Sequence, residues 1–298
     1  LKILISGSSG LVGSFLAGYL TAKGHEIFRL VRDPKKRKTG DIFWDPVASQ
    51  LDVRQMKSCH AVIHLAGENL ANRLWTKKQK ILIRNSRVVS TQFLAKTISH
   101  MTEPKPIFLC ASATGFYGDR GDEVLDEQSA PGKGFLAEVV REWEAATDEA
   151  KNAGVRVVNL RFGVILSRQG GILGRLLPVF RFGLGGKLGN GRQYMPWIVL
   201  DDVAGAVDFC LHHSEISGPV NIVAPELITN DQFTQLLAAL ISRPAFFRIP
   251  AGLLRALLGE MADELFFSST RVEPKVLRAM SYHYRYPQLR TALRSVLT

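Results

Sequence analysis

The segment Gly7-Ser8-Ser9-Gly10-Leu11-Val12-Gly13 constrains this chain more than any other. It separates a short apolar run, Lys2–Ser6, from residues 11–23, which read as a helix closed by Gly24. Glycines spaced GxxGxxG between a strand and a helix have distinct uses. The first permits a tight turn, the second lets the backbone approach a pyrophosphate, and the third lets the helix pack close to the sheet. The helix N-terminus then offers unpaired N–H groups and the positive end of its dipole. Gly7, Ser9, Gly10, Leu11, Val12 and Gly13 are therefore candidate phosphate-binding residues. The alternative is a tight βα turn with a structural role alone.

The rest of the chain supports nucleotide binding. Short β-rich runs at 26–32, 42–44, 61–66, 106–111 and 155–162 alternate with helical stretches at 76–101 and 134–153. That alternation is the signature of βαβ units around a parallel sheet. The expected fold is α/β, a Rossmann-type doubly wound parallel sheet over residues 1–165. Residues 166–298 form a smaller, mainly helical substrate part, with some segments returning to the sheet. Eight glycines between Gly170 and Gly191 suggest a break in regular structure, read as a substrate loop or an irregular connection. Ligands of such folds sit at the carboxyl ends of the strands, so the active site is expected there, with the 183–194 loop and Trp197. Arg192 is a candidate for an anionic substrate group, or for a structural ion pair.

The second strand ends Leu30-Val31-Arg32, followed by Asp33. An acid at this position takes the ribose hydroxyls of NAD, whereas an arginine meets the 2′-phosphate of NADP. Arg32, with Lys35 and Lys36 nearby, favours NADP; in the competing reading Asp33 takes the ribose.

The formal net charge of +11 raises the question of nucleic acid, but the basic residues are dispersed and not interleaved with aromatics. No nucleic-acid partner is expected. No apolar run reaches the roughly 18 residues of a membrane span, so no membrane partner is expected either. Cys59, Cys110 and Cys210 are far apart and read as small core residues of a reducing compartment. Residues 1–6 read as a strand and not as a secretory signal. The expected location is cytoplasmic, or an organelle if a transit peptide has been removed. A monomer or homodimer is expected.

Four further segments are similar to the extended short-chain dehydrogenase/reductase superfamily. They are His64-Leu65-Ala66-Gly67, Ser112-Ala113-Thr114-Gly115-Phe116-Tyr117-Gly118, Arg161-Phe162-Gly163-Val164, and the run from Trp197 to Val203. Residues 66–76, 112–119 and 180–198 with the carboxy-terminal helical part resemble, more narrowly, an atypical NADP-dependent nucleotide-sugar epimerase family. Some of its members carry a cell-division-inhibitor label. The resemblance implies NADP as cofactor and adds Leu65, Ala66, Gly67, Arg87 and Val164 to the cofactor contacts. Spacing alone would leave Arg87 on a solvated helix face.

Superfamily chemistry uses a Tyr and a Lys four residues later on one helix, with a strand-end Ser holding the reacting oxygen. Ser112 stands where that serine belongs, but Phe135 and Val139 stand near the Tyr and Lys positions, and neither transfers a proton. The literal YxxxK match, Tyr19–Lys23, lies behind the phosphate loop and reads as chance. Tyr117 is the replacement candidate, against an aromatic packed in the turn; Glu68 and Lys133 are weaker ones. Two functions therefore stay open. One is an NADP-dependent oxidoreductase or epimerase-like enzyme acting on a small molecule, a nucleotide sugar by superfamily analogy. The other is a non-catalytic NADP(H)-binding regulatory or redox-sensing protein.

Overall fold

The computed structural model describes residues 1–56, 58–102 and 104–298. The side chain of Lys36, part of the basic group after the second strand, lies outside the described residues. Eight strands form one sheet in the order Gly218–Ile222, Val157–Phe162, Ile107–Ala113, Ala61–His64, Lys2–Ser6, Glu26–Val31, Ile42–Asp45, Gln50–Leu51. Lys2–Ser6 pairs in parallel with both Glu26–Val31 and Ala61–His64. The short edge strand Gln50–Leu51 pairs antiparallel with Ile42–Asp45. The strand order reverses around Lys2–Ser6, which makes its carboxyl end the switch point of a doubly wound, Rossmann-type sheet.

The central strands carry the core. Ile3, Leu4, Ile5, Ala61, Val62, Ile63, Phe108 and Leu109 are fully buried, as strands covered on both faces require. The helix Lys77–Ser99 is opened by Thr76, whose hydroxyl accepts from the Gln79 amide, and it buries Ile83, Leu94, Ala95 and Ile98. The expected helix over 134–153 is two helices, Phe135–Ala145 and Asp148–Asn152. They part at Thr147, whose hydroxyl donates back to the Glu144 carbonyl at 2.7 Å. The three cysteines are buried and unpaired, as expected of core residues. Among the described residues no helix is long and apolar enough to cross a membrane.

Two compact units are distinguishable. The first comprises Leu1–Ser112, Val139–Leu160 and Val207–Val220; the second comprises Ala113–Glu138, Arg161–Ala206 and Asn221–Thr298. The second holds three small parallel pairs, among them Trp197–Val199 with Val164–Leu166 and Gly186–Leu188 with Phe247–Ile249. The glycine-rich segment, expected to break regular structure, instead contains the helix Gly171–Arg181. Leu173, Leu177 and Phe180 recur at helical spacing and are buried in the core of this unit with Trp197, Phe233 and Leu237. Burial of that face outweighs the helix cost of Gly174, and the remaining glycines serve the turns around Gly186–Leu188.

One arginine closes a helix end that lies in the first unit. Arg156 Nη1 donates to the carbonyls of Cys210, His213 and Ile216 at 2.9–3.0 Å, and Nη2 to that of Leu211 at 3.0 Å. These groups lie at and just beyond the end of Leu200–His212, where carbonyls lack intrahelical partners and a cation opposes the negative dipole end. Arg156→Met keeps the apolar stem and removes the donors. Urea unfolding is expected to show a loss of about 2–3 kcal/mol, the scale of charge-assisted hydrogen bonds. A loss within the error of the method would mean that water satisfies these carbonyls equally well.

Candidate functional site: the glycine turn and its surroundings

The turn after Lys2–Ser6 is built by three glycines in three different ways. Gly7 adopts φ +70°, and a Cβ there would stand 2.7 Å from the Leu65 carbonyl carbon. A Cβ on Gly13 would stand 2.3 Å from the Gly7 carbonyl oxygen. Both positions are closed to any side chain by the protein's own backbone. Gly10 differs. Its nearest neighbour for an added Cβ is the Gly7 oxygen at 3.3 Å, and its φ of −79° suits any residue. A Cβ there would be a tight contact with backbone but not the outright clash found at Gly7 and Gly13.

The helix that begins at this turn, Leu11–Ala22, has no side-chain cap and no acidic residue in its first turn. The amides of Leu11, Val12 and Gly13 belong to that turn, which has no intrahelical acceptors, and the dipole end is uncompensated. Ser9 and Gly10 are exposed beside it. An exposed, glycine-lined helix N-terminus of this kind fits a pyrophosphate.

At the end of the second strand Arg32 is exposed and has no hydrogen bond or ion pair among the described residues. Asp33 is already engaged: its carboxylate accepts from the Lys35 amide at 3.0 Å and caps the turn Pro34–Lys36. The basic loop beyond is held by Asp41, which takes Arg29 in a two-pronged ion pair at 2.8 and 3.0 Å and also accepts from the Lys38 amide. Arg37 donates to the Asp41 carbonyl at 2.9 Å. The neighbouring cation is thus tied down while Arg32 is left available.

The strand end at 65–67 meets this turn. Leu65 and Ala66 pack on Gly7, and Gly67 lies against the Arg87 guanidinium. Arg87 is half-buried rather than solvated. It donates to the carbonyls of Glu68 at 2.9 Å and Ile83 at 3.0 Å and sits over the Trp143 ring. Its role in the structure is to fix the 67–68 backbone. Glu68 is also half-buried, within 3.4 Å of Gln79.

Beneath the turn runs a buried polar relay whose partners Ser6 and Ser90 no spacing links to the His64 segment. The Leu65 amide donates to Ser6 Oγ at 3.2 Å, and Ser6 Oγ lies 2.6 Å from His64 Nδ1. His64 Nε2 lies 3.1 Å from Ser90 Oγ, which itself donates to the Ser86 carbonyl at 2.7 Å. With Ser90 donating elsewhere, the imidazole proton belongs on Nε2, and Nδ1 accepts from Ser6. Burial, reinforced by the charge of Arg32, pushes the fully buried His64 ring down to about 3. The only signal in the sequence is a histidine inside an apolar strand.

Ser112 and Tyr117 occupy different networks. In the first unit Ser112 is buried and donates to the Glu144 carboxylate at 2.5 Å. In the second unit Tyr117 is fully buried; its hydroxyl donates to Asn221 Oδ1 at 2.8 Å and accepts from Arg161 at 2.9 Å. Burial pushes the Tyr117 phenol up to about 12. Arg161 stacks on the Phe116 ring at 3.6 Å, and the Glu127 carboxylate, held above its usual range by burial, accepts from the Asn221 amide. Glu144, Arg161 and Asn221 come from distant parts of the chain, and no spacing links them to Ser112 or Tyr117. Val164, also in the second unit, donates its amide to the Pro196 carbonyl at 2.7 Å. Tyr19 and Lys23 contact each other near the end of the first helix, away from its N-terminus.

The second unit also contains an open cavity of about 670 Å³. Arg192, Gln193, Arg248, Asp119 and Phe267 are among its walls, so part of the 183–194 segment does line a pocket. Arg192 is exposed and forms no ion pair among the described residues. Trp197 is fully buried in the core and does not line it.

The His64 relay gives a pH signature. The unfolded chain protonates this ring near 6.5 and the folded chain only near 3, so lowering the pH across that window favours the unfolded state. The slope reaches about 1.4 kcal/mol per pH unit for one proton. Unfolding free energy measured from pH 6.5 to 4 should fall more steeply for the wild type than for His64→Gln. Parallel curves would mean that the imidazole is not held neutral.

Residues 3–223 match the NAD dependent epimerase/dehydratase family, and residues 249–296 match a domain of unknown function (DUF1731). An epimerase family protein of Mycobacterium leprae is 37% identical over 291 residues, 98% of this chain and 94% of that protein. The crystal structure of human epimerase family protein SDR39U1 with NADPH is 34% identical, with a TM-score of 0.89 over 99% of both chains. A structure of a nucleoside-diphosphate sugar epimerase from Corynebacterium glutamicum is 37% identical, with a TM-score of 0.83; it covers all of this chain and 58% of that one. With its glycine turn, its sheet order and these likenesses along its whole length, the chain belongs to the NAD-dependent epimerase/dehydratase family.

Proposed function

We propose that this protein binds NADPH at the glycine turn and works as an NADP-dependent oxidoreductase or epimerase-like enzyme on an anionic small molecule. The observation that carries the cofactor assignment is Gly10, the glycine of the turn that its own backbone excludes least from bearing a side chain. The amides of Leu11, Val12 and Gly13 would take the pyrophosphate, with Ser9 beside them. Arg32 would take the 2′-phosphate, since Asp33, the residue that would favour NADH, is committed to its own turn. Leu65, Ala66 and Gly67 would flank the adenine ribose, Arg87 holding that backbone in place. Val164 would contact the nicotinamide side. The likeness to the human relative crystallised with NADPH supports the same assignment.

The bound nicotinamide supplies hydride exchange, and the protein supplies orientation and proton control. Ser112 and Tyr117 remain the catalytic candidates, but their hydroxyls are satisfied by Glu144 and by Asn221 with Arg161. They act by fixing the backbone on either side of 113–116, and any direct proton transfer requires those bonds to open. For the substrate, the cavity beside Arg192 and Arg248 suits an anionic group. The likeness to a nucleoside-diphosphate sugar epimerase makes nucleotide sugars the favoured class. A second reading, NADPH binding without turnover, is favoured by those committed hydroxyls and by Phe135 and Val139 where the usual Tyr–Lys pair would stand. Consumption of NADPH with any small carbonyl compound would exclude it.

Calorimetric titration tests the cofactor assignment. Wild type should bind NADPH at least tenfold more tightly than NADH, and Arg32→Ala should lose that preference while leaving NADH binding little changed. Equal affinity for both cofactors in the wild type would overturn the role given to Arg32.

A further inference from the structure

We propose that His25, Asp208 and His212 form a binding site for one divalent transition-metal ion of the zinc type, remote from the glycine turn. His25 lies just before the second strand, and Asp208 and His212 are one turn apart on the helix Leu200–His212. Their donor atoms all fall within 4.8 Å of one another. Asp208 Oδ1 stands 3.3 Å from His212 Nδ1 and 3.8 Å from His25 Nε2. His212 Nδ1 also donates to the Asp208 carbonyl at 2.9 Å, a bond that the metal would replace. Zinc bonds of about 2.0–2.1 Å in a tetrahedron place neighbouring donors about 3.3 Å apart, close to the spacing of this trio. Two imidazoles and one carboxylate leave the fourth position for water, and exposed His212 leaves it accessible.

A second observation points to a cation. Asp208 Oδ1 is buried and accepts no hydrogen bond, although two imidazoles face it. Buried carboxylate oxygens normally have a donor or an ion. The other oxygen, Oδ2, has Lys23 Nζ at 3.9 Å, which balances it without reaching Oδ1. His213, next in the chain, is not part of the trio: its ring is stacked on Phe209 at 3.7 Å.

The test is titration of the metal-stripped full chain with ZnCl2 by calorimetry, and with CoCl2 by visible absorption. One equivalent of zinc should bind, and cobalt should give the intense bands of a tetrahedral site. His212→Ala and Asp208→Asn should each weaken zinc binding at least tenfold, whereas His213→Ala should not. Because His212 is exposed, its variant reports on binding even if Asp208→Asn folds poorly. Absence of binding to the wild type, or binding of the same strength in His212→Ala, would overturn the proposal.

Discussion

The first unit depends on how closely the helix Leu11–Ala22 approaches the ends of two strands. Gly7 touches the 65–66 backbone and Gly13 touches Gly7, in both cases at distances that no side chain tolerates. This double contact fixes the direction of the helix and aims its uncompensated N-terminus. Every other feature of the candidate nucleotide site is arranged around it. The Leu65 amide is held by Ser6, the 67–68 backbone by Arg87, and the basic loop by Asp41.

Support for this arrangement comes from buried polar groups rather than from apolar packing alone. The Ser6–His64–Ser90 relay is fully satisfied, and satisfied networks specify one geometry where apolar contacts would allow several. In the second unit, Tyr117, Arg161, Asn221 and Glu127 form a comparable network. The second network holds Tyr117, and a separate bond to Glu144 holds Ser112, so in this chain the hydroxyls of both candidate residues are built into the scaffold.

Legibility from sequence followed the range of the interactions. The strand–turn–helix start, the parallel sheet and the glycine turn are local patterns, and the structure bears out the fold read from them. The helix Gly171–Arg181 was hidden because glycine count obscured the apolar spacing of Leu173, Leu177 and Phe180. The setting of Arg87 was hidden because its carbonyl partner, Glu68, is brought to it by tertiary folding across a loop. Glu144, Arg161 and Asn221 were invisible for the same reason. A buried partner for Ser112 or Tyr117 is set by strand order, and strand order is not written in residue spacing.

The central claim is that Gly10 is bare for a ligand and not for the fold. The direct measurement is Gly10→Ala, read by unfolding free energy and by NADPH affinity on the same preparation. The account predicts stability within about 0.5 kcal/mol of wild type, as expected of a surface change with a compatible backbone, together with NADPH binding weakened at least tenfold. Unchanged binding, or a loss of stability large enough to explain weakened binding, would contradict it.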